Sequence, residues 1–226
     1  MAYFALLLDG ICFLGQGVLH LPFVGRLTGK KKKPLHFAVY ILLLTALQLV
    51  SVRLSLGGTL SIAAGVLELY AVSRFGMGNQ PAVSWLAAVL AFYISQLSFG
   101  IINSVEAALF PRFIGSSLLY LLLLAAQILF FALCVGCYYA VLKFLAWTED
   151  SQTPYIGLLL FPGLFFFASE LYILETAYSF FAPIASLEEV GRHSTLLLLQ
   201  VMGLAALLCT LYAYRHLCQG FQAQAE

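Results

Sequence analysis

The chain has 226 residues, of which 62% are hydrophobic and 9% charged, with mean hydropathy +0.98 and net charge +1. Soluble domains carry about 25% charged residues, so an ordinary water-soluble enzyme or binding domain is excluded. The near-neutral balance gives no electrostatic case for nucleic acid.

About seven long apolar stretches fill the chain, and a spanning helix needs roughly 20 mostly apolar residues. The stretches are continuous, not short and alternating, so an all-α polytopic transmembrane bundle is expected in place of a barrel. The first helix is expected over about 2–24. It has no basic segment ahead of it and no small-residue cleavage site, so it reads as a retained helix and not a signal peptide. A basic loop follows, Arg26 to Pro34, containing Lys30, Lys31, Lys32 and Lys33. This lysine run reads as a topology anchor. The second helix is expected over about 35–54 and the third over about 57–75, split at Leu56-Gly57-Gly58. Gly76 to Pro81 (GMGNQP) is a break. The fourth helix is expected over about 82–103 and the fifth over about 115–143, with Phe110-Pro111-Arg112 between them. The polar loop Thr148 to Pro154 leads to a sixth helix over about 155–181, and a seventh is expected over about 194–216. Residues 1–216 thus read as the membrane bundle, and 217–226 as the start of a cytoplasmic connector helix.

Orientation follows the bias of Lys and Arg in short loops. With the first loop inside, that side holds Arg26, Lys30 to Lys33, Arg74, Lys143 and Arg215, against Arg53, Arg112 and Arg192 outside. The N-terminus is therefore expected outside and the C-terminus inside.

Ionisable groups at membrane depth are costly and mark candidate sites. Here they are Asp9, His20, Glu68, Glu106, Glu170 and Glu175. On the expected topology Glu106, Arg112 and Glu175 lie towards the outer face, with Glu170 deeper and Tyr172 near them. Glu106, Arg112, Glu170, Tyr172 and Glu175 are the candidate ligand-binding residues of an outward-opening pocket. Interhelical hydrogen bonding is the competing role for each. Asp9 and His20 are about three turns apart and share a face of the first helix. Pairing with a neighbouring helix, or facing water, is favoured there over a proton relay.

Catalytic signatures are missing. Glu188-Glu189-Val190-Gly191-Arg192 is one residue short of the EExxxR of intramembrane CAAX-type proteases and is expected in a loop. The seventh helix has no lysine for a retinal Schiff base, and no HExxH, GxSxG or Walker sequence occurs. Cys134 and Cys137 lie within an expected spanning helix and read as small packing residues. No Cys/His spacing suits zinc. No metal and no cofactor is expected.

The exit of the last helix, Leu211-Tyr212-Ala213-Tyr214-Arg215-His216-Leu217 with the Gln-rich QGFQAQAE after it, resembles the end of the membrane sensor of quorum-sensing, accessory-gene-regulator-type histidine kinases with a GHKL ATPase. The resemblance implies a bacterial multi-pass sensor in the cytoplasmic membrane. Such a sensor detects an extracellular peptide or small molecule, acts as a homodimer, and signals to a cytoplasmic kinase through its last helix. Kinase activity would require a C-terminal half, since residues 1–226 hold no H-D-x-x-N-H box and no ATP-binding box. The alternative is the substrate-binding membrane component of a small-molecule importer. It predicts a deep ligand cavity and gives the polar tail no role. Membrane lipid is a partner on either reading.

Overall fold

The computed structural model describes residues 2–31, 33–54, 58–113, 115–145 and 187–225. Among these every regular element is helical and there is no strand. Six α-helices are described: α1 (Ala2–Leu27), α2 (Pro34–Leu54), α3 (Gly58–Ala71), α4 (Pro81–Leu109), α5 (Leu118–Leu145) and α6 (Leu187–Ala225). A π turn, Val72–Gly76, follows α3, and a 3-10 turn, Phe110–Phe113, follows α4. Among the described residues, four helical segments are long and apolar enough to cross a membrane: Pro34–Ser51, Pro81–Glu106, Leu118–Lys143 and Ser194–Leu217. The helix expected over 155–181 lies outside the described residues, as do the polar loop before it, Glu170, Tyr172 and Glu175.

The backbone forms two compact units, Met1–Phe92 and Tyr93–Glu226, with α4 running through the boundary. In the first unit α1 packs on α2, α2 on α3, and α3 runs into its π turn. Apolar side chains give helices no reason to leave lipid, so such packing depends on close van der Waals contact and small residues. Two glycines serve that purpose. A β-carbon at Gly17 of α1 would stand 2.5 Å from a methyl of Leu44 on α2, and one at Gly65 of α3 would stand 2.6 Å from the Phe92 ring of α4. Tyr70 stacks on Trp85, with ring centroids 4.4 Å apart. At the far end of the α2–α3 pair, Ser61 Oγ donates to Ser51 Oγ at 2.9 Å. That bond ties the end of α2 to the start of α3, making an antiparallel hairpin. Residues 55–57 of its turn lie outside the described set.

Pro34 begins α2, where its missing N–H costs nothing. Gly29 stands at φ +65° just past α1, the left-handed geometry that ends a helix. The break expected at Gly76 to Pro81 is present, but α3 reaches it through a π turn and not a regular last turn. Met77 N–H donates to Val72 O at 3.0 Å, the i→i+5 bond of that geometry. Asn79 N–H donates to Ser73 O at 3.3 Å, and the Arg74 guanidinium donates to Asn79 O at 2.7 Å. Asn79 Nδ2 donates to Ser73 Oγ at 3.0 Å, and Ser73 Oγ to Ser84 Oγ at 3.2 Å. This network holds the short link into α4.

In the second unit α5 packs on α6 and on the 3-10 turn. Phe99 meets Phe130 edge to face at 5.8 Å. The last helix differs from expectation. It starts at Leu187, not near 194, so Glu188 to Arg192 belong to its first turns and not to a loop. Ser186-Leu187-Glu188-Glu189 has the S-x-x-E spacing of a capping box, and acidic residues suit the positive end of a helix.

Candidate polar centres

Besides the network at the π turn, two polar centres join neighbouring helices among the described residues, one in each unit.

The first is built by the crossing of α1 and α2. Gln16 and His20 are one turn apart on α1, and both are buried. Close packing at Gly17 brings this face onto α2, where Tyr40 is fully buried. His20 Nδ1 and Tyr40 Oη are 2.8 Å apart. The hydroxyl donates to a bare Nδ1 or accepts from a protonated one, according to the imidazole tautomer. Phe92 of α4 covers the imidazole, with ring centroids 4.6 Å apart at 46°. Glu68 of α3 is near enough to act electrostatically on Tyr40. Its Oε2 is buried and has no hydrogen-bond partner among the described residues. A buried carboxyl oxygen without a partner is costly in an apolar medium, so Glu68 Oε2 is an acceptor this centre leaves unmet among the described residues. Of the two roles the sequence favours for His20, pairing with a neighbouring helix and facing water, the structure shows the first. The Asp9 side chain, which shares that face in sequence, lies outside the described set.

The second centre joins α4 to α6. Ser104 Oγ donates to Gln200 Oε1 at 3.2 Å, and both residues are buried. One residue earlier on α4, Asn103 Nδ2 is buried with no hydrogen-bond partner among the described residues. Glu106, half-buried, follows on the same helix, and Arg112 is exposed on the 3-10 turn. Of the five residues expected in an outer pocket, the structure places Glu106 and Arg112 at this end of α4. Gln200 was not singled out from the sequence. A lone Gln in leucine-rich surroundings gives no periodic signal, although a polar side chain closing the run Leu196-Leu197-Leu198-Leu199-Gln200 is itself costly unless bonded.

No group of three or more His, Cys, Asp or Glu capable of holding a metal occurs among the described residues. Cys134 is buried and Cys137 half-buried, and both are free thiols on one face of α5. Of the lysine run, Lys30, Lys31 and Lys33 are exposed, and Lys32 lies outside the described set.

Comparison with models of known protein families, with curated proteins and with solved structures finds no match.

Proposed function

We infer that the chain is a multi-pass membrane sensor whose last helix carries a signal from the outer face to a cytoplasmic partner. The observation that supports this reading is the continuity of α6. It runs unbroken for 39 residues from Leu187 to Ala225, about 58 Å at 1.5 Å per residue. Its apolar segment is Ser194–Leu217, so the polar residues from Cys218 to Ala225 extend the same rod beyond the membrane. Near its start, Gln200 is bonded to Ser104 in the centre that also holds Asn103 and Glu106. A ligand that changes that contact acts directly on the rod.

In this reading seven helices cross the membrane, with the N-terminus outside, the lysine loop inside and the tail inside. Glu106, Arg112, Glu170, Tyr172 and Glu175 line the outward-facing ligand site for a peptide or a polar small molecule. The protein works as a homodimer, and its output is a histidine kinase module of the resembled family. The signal depends on the ligand binding one of two helix packings more tightly than the other.

The test uses a chain freed of native cysteines, with Ala223→Cys carrying an environment-sensitive fluorophore. Ala223 is exposed on the helical tail. Spent culture medium of the source cells is added to sealed vesicles on the outer side. A saturable change in emission that is lost in Gln200→Leu supports the reading. An unchanged signal, together with uptake of a labelled metabolite, would replace it with transport.

A further inference from the structure

We propose that the basic loop between α1 and α2, together with the apolar groove below it, binds one anionic phospholipid. The headgroup sits on the lysines and an acyl chain lies along α2. This site is independent of the sensor reading and requires only that the first unit lies in a bilayer.

Both halves of the site are fixed by local structure. The loop is pinned at each end. Thr28 N–H and Thr28 Oγ1 both donate to Val24 O at 2.9 Å, and Gly29 turns the chain at φ +65°. At the other end Lys33 N–H donates to His36 Nδ1 at 3.3 Å, and His36 N–H returns to Lys33 O at 3.0 Å. Lys30, Lys31 and Lys33 are thereby displayed at the N-terminus of α2, with exposed Arg26 at the end of α1. The positive end of the α2 dipole adds to their charge.

The groove begins where the loop ends. It is shallow and open to its surroundings, with a volume of about 700 Å³, and Val18, Phe37, Ile41, Thr45, Ala46 and Leu49 are among its lining residues. Its one hydroxyl, Thr45 Oγ1, is already bonded to Ile41 O at 2.7 Å, so the surface offered is hydrocarbon. From Phe37 to Leu49 is about 18 Å of helix. One leaflet of the hydrocarbon core is about 15 Å deep. A groove of that length, apolar along its floor and headed by cations, matches a molecule with one anionic end and one acyl tail. A second protein helix would fit the groove but leave the lysines unmatched. A soluble anion would match the lysines but leave the groove unfilled.

The test is native mass spectrometry of the full chain in discs of equimolar phosphatidylglycerol and phosphatidylcholine. Retention of phosphatidylglycerol over phosphatidylcholine is expected. Replacing Lys30 to Lys33 with Gln should lower that preference about tenfold or more, since each cation near an anionic surface contributes appreciably. Replacing them with Arg should preserve it. Ala46→Trp fills the groove and keeps every charge, and should also release the lipid. Thr45→Phe gives a second groove variant should Ala46→Trp unfold, as judged by helical circular dichroism. Equal retention of the two lipids overturns the proposal, and so does preference that survives the Lys→Gln changes. Preference that survives both groove variants also overturns it, because the lysines would then be attracting lipid without a built site.

Discussion

Replacing Tyr40 with phenylalanine removes one oxygen from the middle of the first unit and leaves the ring in place. The hydroxyl is buried and lies 2.8 Å from His20 Nδ1, and His20 is 1% exposed. Water therefore has little access to the imidazole nitrogen left behind. In a water-soluble core, orphaning such a group costs about 1–3 kcal/mol. In a bilayer the unfolded helices also find partners, and interhelical bonds measure about 0.6 kcal/mol on average and about 1.7 at most. The membrane value is the one to apply, because Tyr40 lies in Pro34–Ser51, a segment long and apolar enough to cross a membrane. Tyr40→Phe should thus cost about 0.6–1.7 kcal/mol. His20→Phe should cost a similar amount while keeping a ring against Phe92. In the double variant no polar atom of the pair remains to be orphaned, so its cost should fall short of the sum by about 0.6–1.7 kcal/mol. The assay is reversible unfolding in bicelles by added dodecyl sulfate, followed by far-ultraviolet circular dichroism. Additivity within about 0.3 kcal/mol would refute the argument that this bond links α1 to α2.

Two further outcomes follow from the packing and from the proposed orientation. Gly65→Ala should destabilise by about 1–3 kcal/mol through overpacking, because its new methyl meets the Phe92 ring, and Phe92→Leu should restore part of the loss. Gly136→Ala, on α5 with nothing within 4 Å, should be neutral or stabilising by up to about 1 kcal/mol; equal losses at both glycines would remove the packing explanation. For orientation, Lys31→Cys, Ser116→Cys and Ala223→Cys place single thiols at exposed positions in a cysteine-free chain. A membrane-impermeant maleimide applied to intact cells should label only Ser116→Cys, and labelling of Lys31→Cys from outside would reverse or rewrite the topology.

The elements that could be read from the sequence were those with a local signal. Pro34 marks the start of α2, and the Gly76 to Pro81 cluster marks the end of the α3 segment; both fall within a residue or so of the observed bounds. The early start of α6 has a local signal in the S-x-x-E at Ser186, but Glu188, Glu189 and Arg192 interrupt the apolar pattern there, so hydropathy places the helix later. The π turn could not be read, because an extra residue in a helical turn leaves hydrophobicity almost unchanged and is fixed by Ser73, Asn79 and Ser84 meeting in space. The His20–Tyr40 pair shows the same limit. Periodicity along α1 puts Gln16 and His20 on one face, yet the partner is chosen by the register of the α1–α2 hairpin, which depends on how closely Gly17 lets the helices approach. The outward-opening acidic pocket is an expectation from loop charge and depth, with no local signal for its geometry. Glu106 and Arg112 do lie at one end of α4, and the bond that gives that end its neighbour on α6 comes from Ser104 and Gln200.

The π turn after α3 also bears on how the protein meets bilayers of different thickness. A helix end normally leaves carbonyls that need water or headgroups. Here Val72 O and Ser73 O are taken by Met77 and Asn79, and Asn79 O is taken by Arg74. The corner brings its own solvation with it. Its internal bonds lower the number of unmet acceptors it presents at the interface, while the Arg74 charge holds the corner near the headgroups. A thinning or thickening bilayer, which elsewhere is met by tilting or by stretching lipid, meets at this corner a helix end with fewer carbonyls to keep wet.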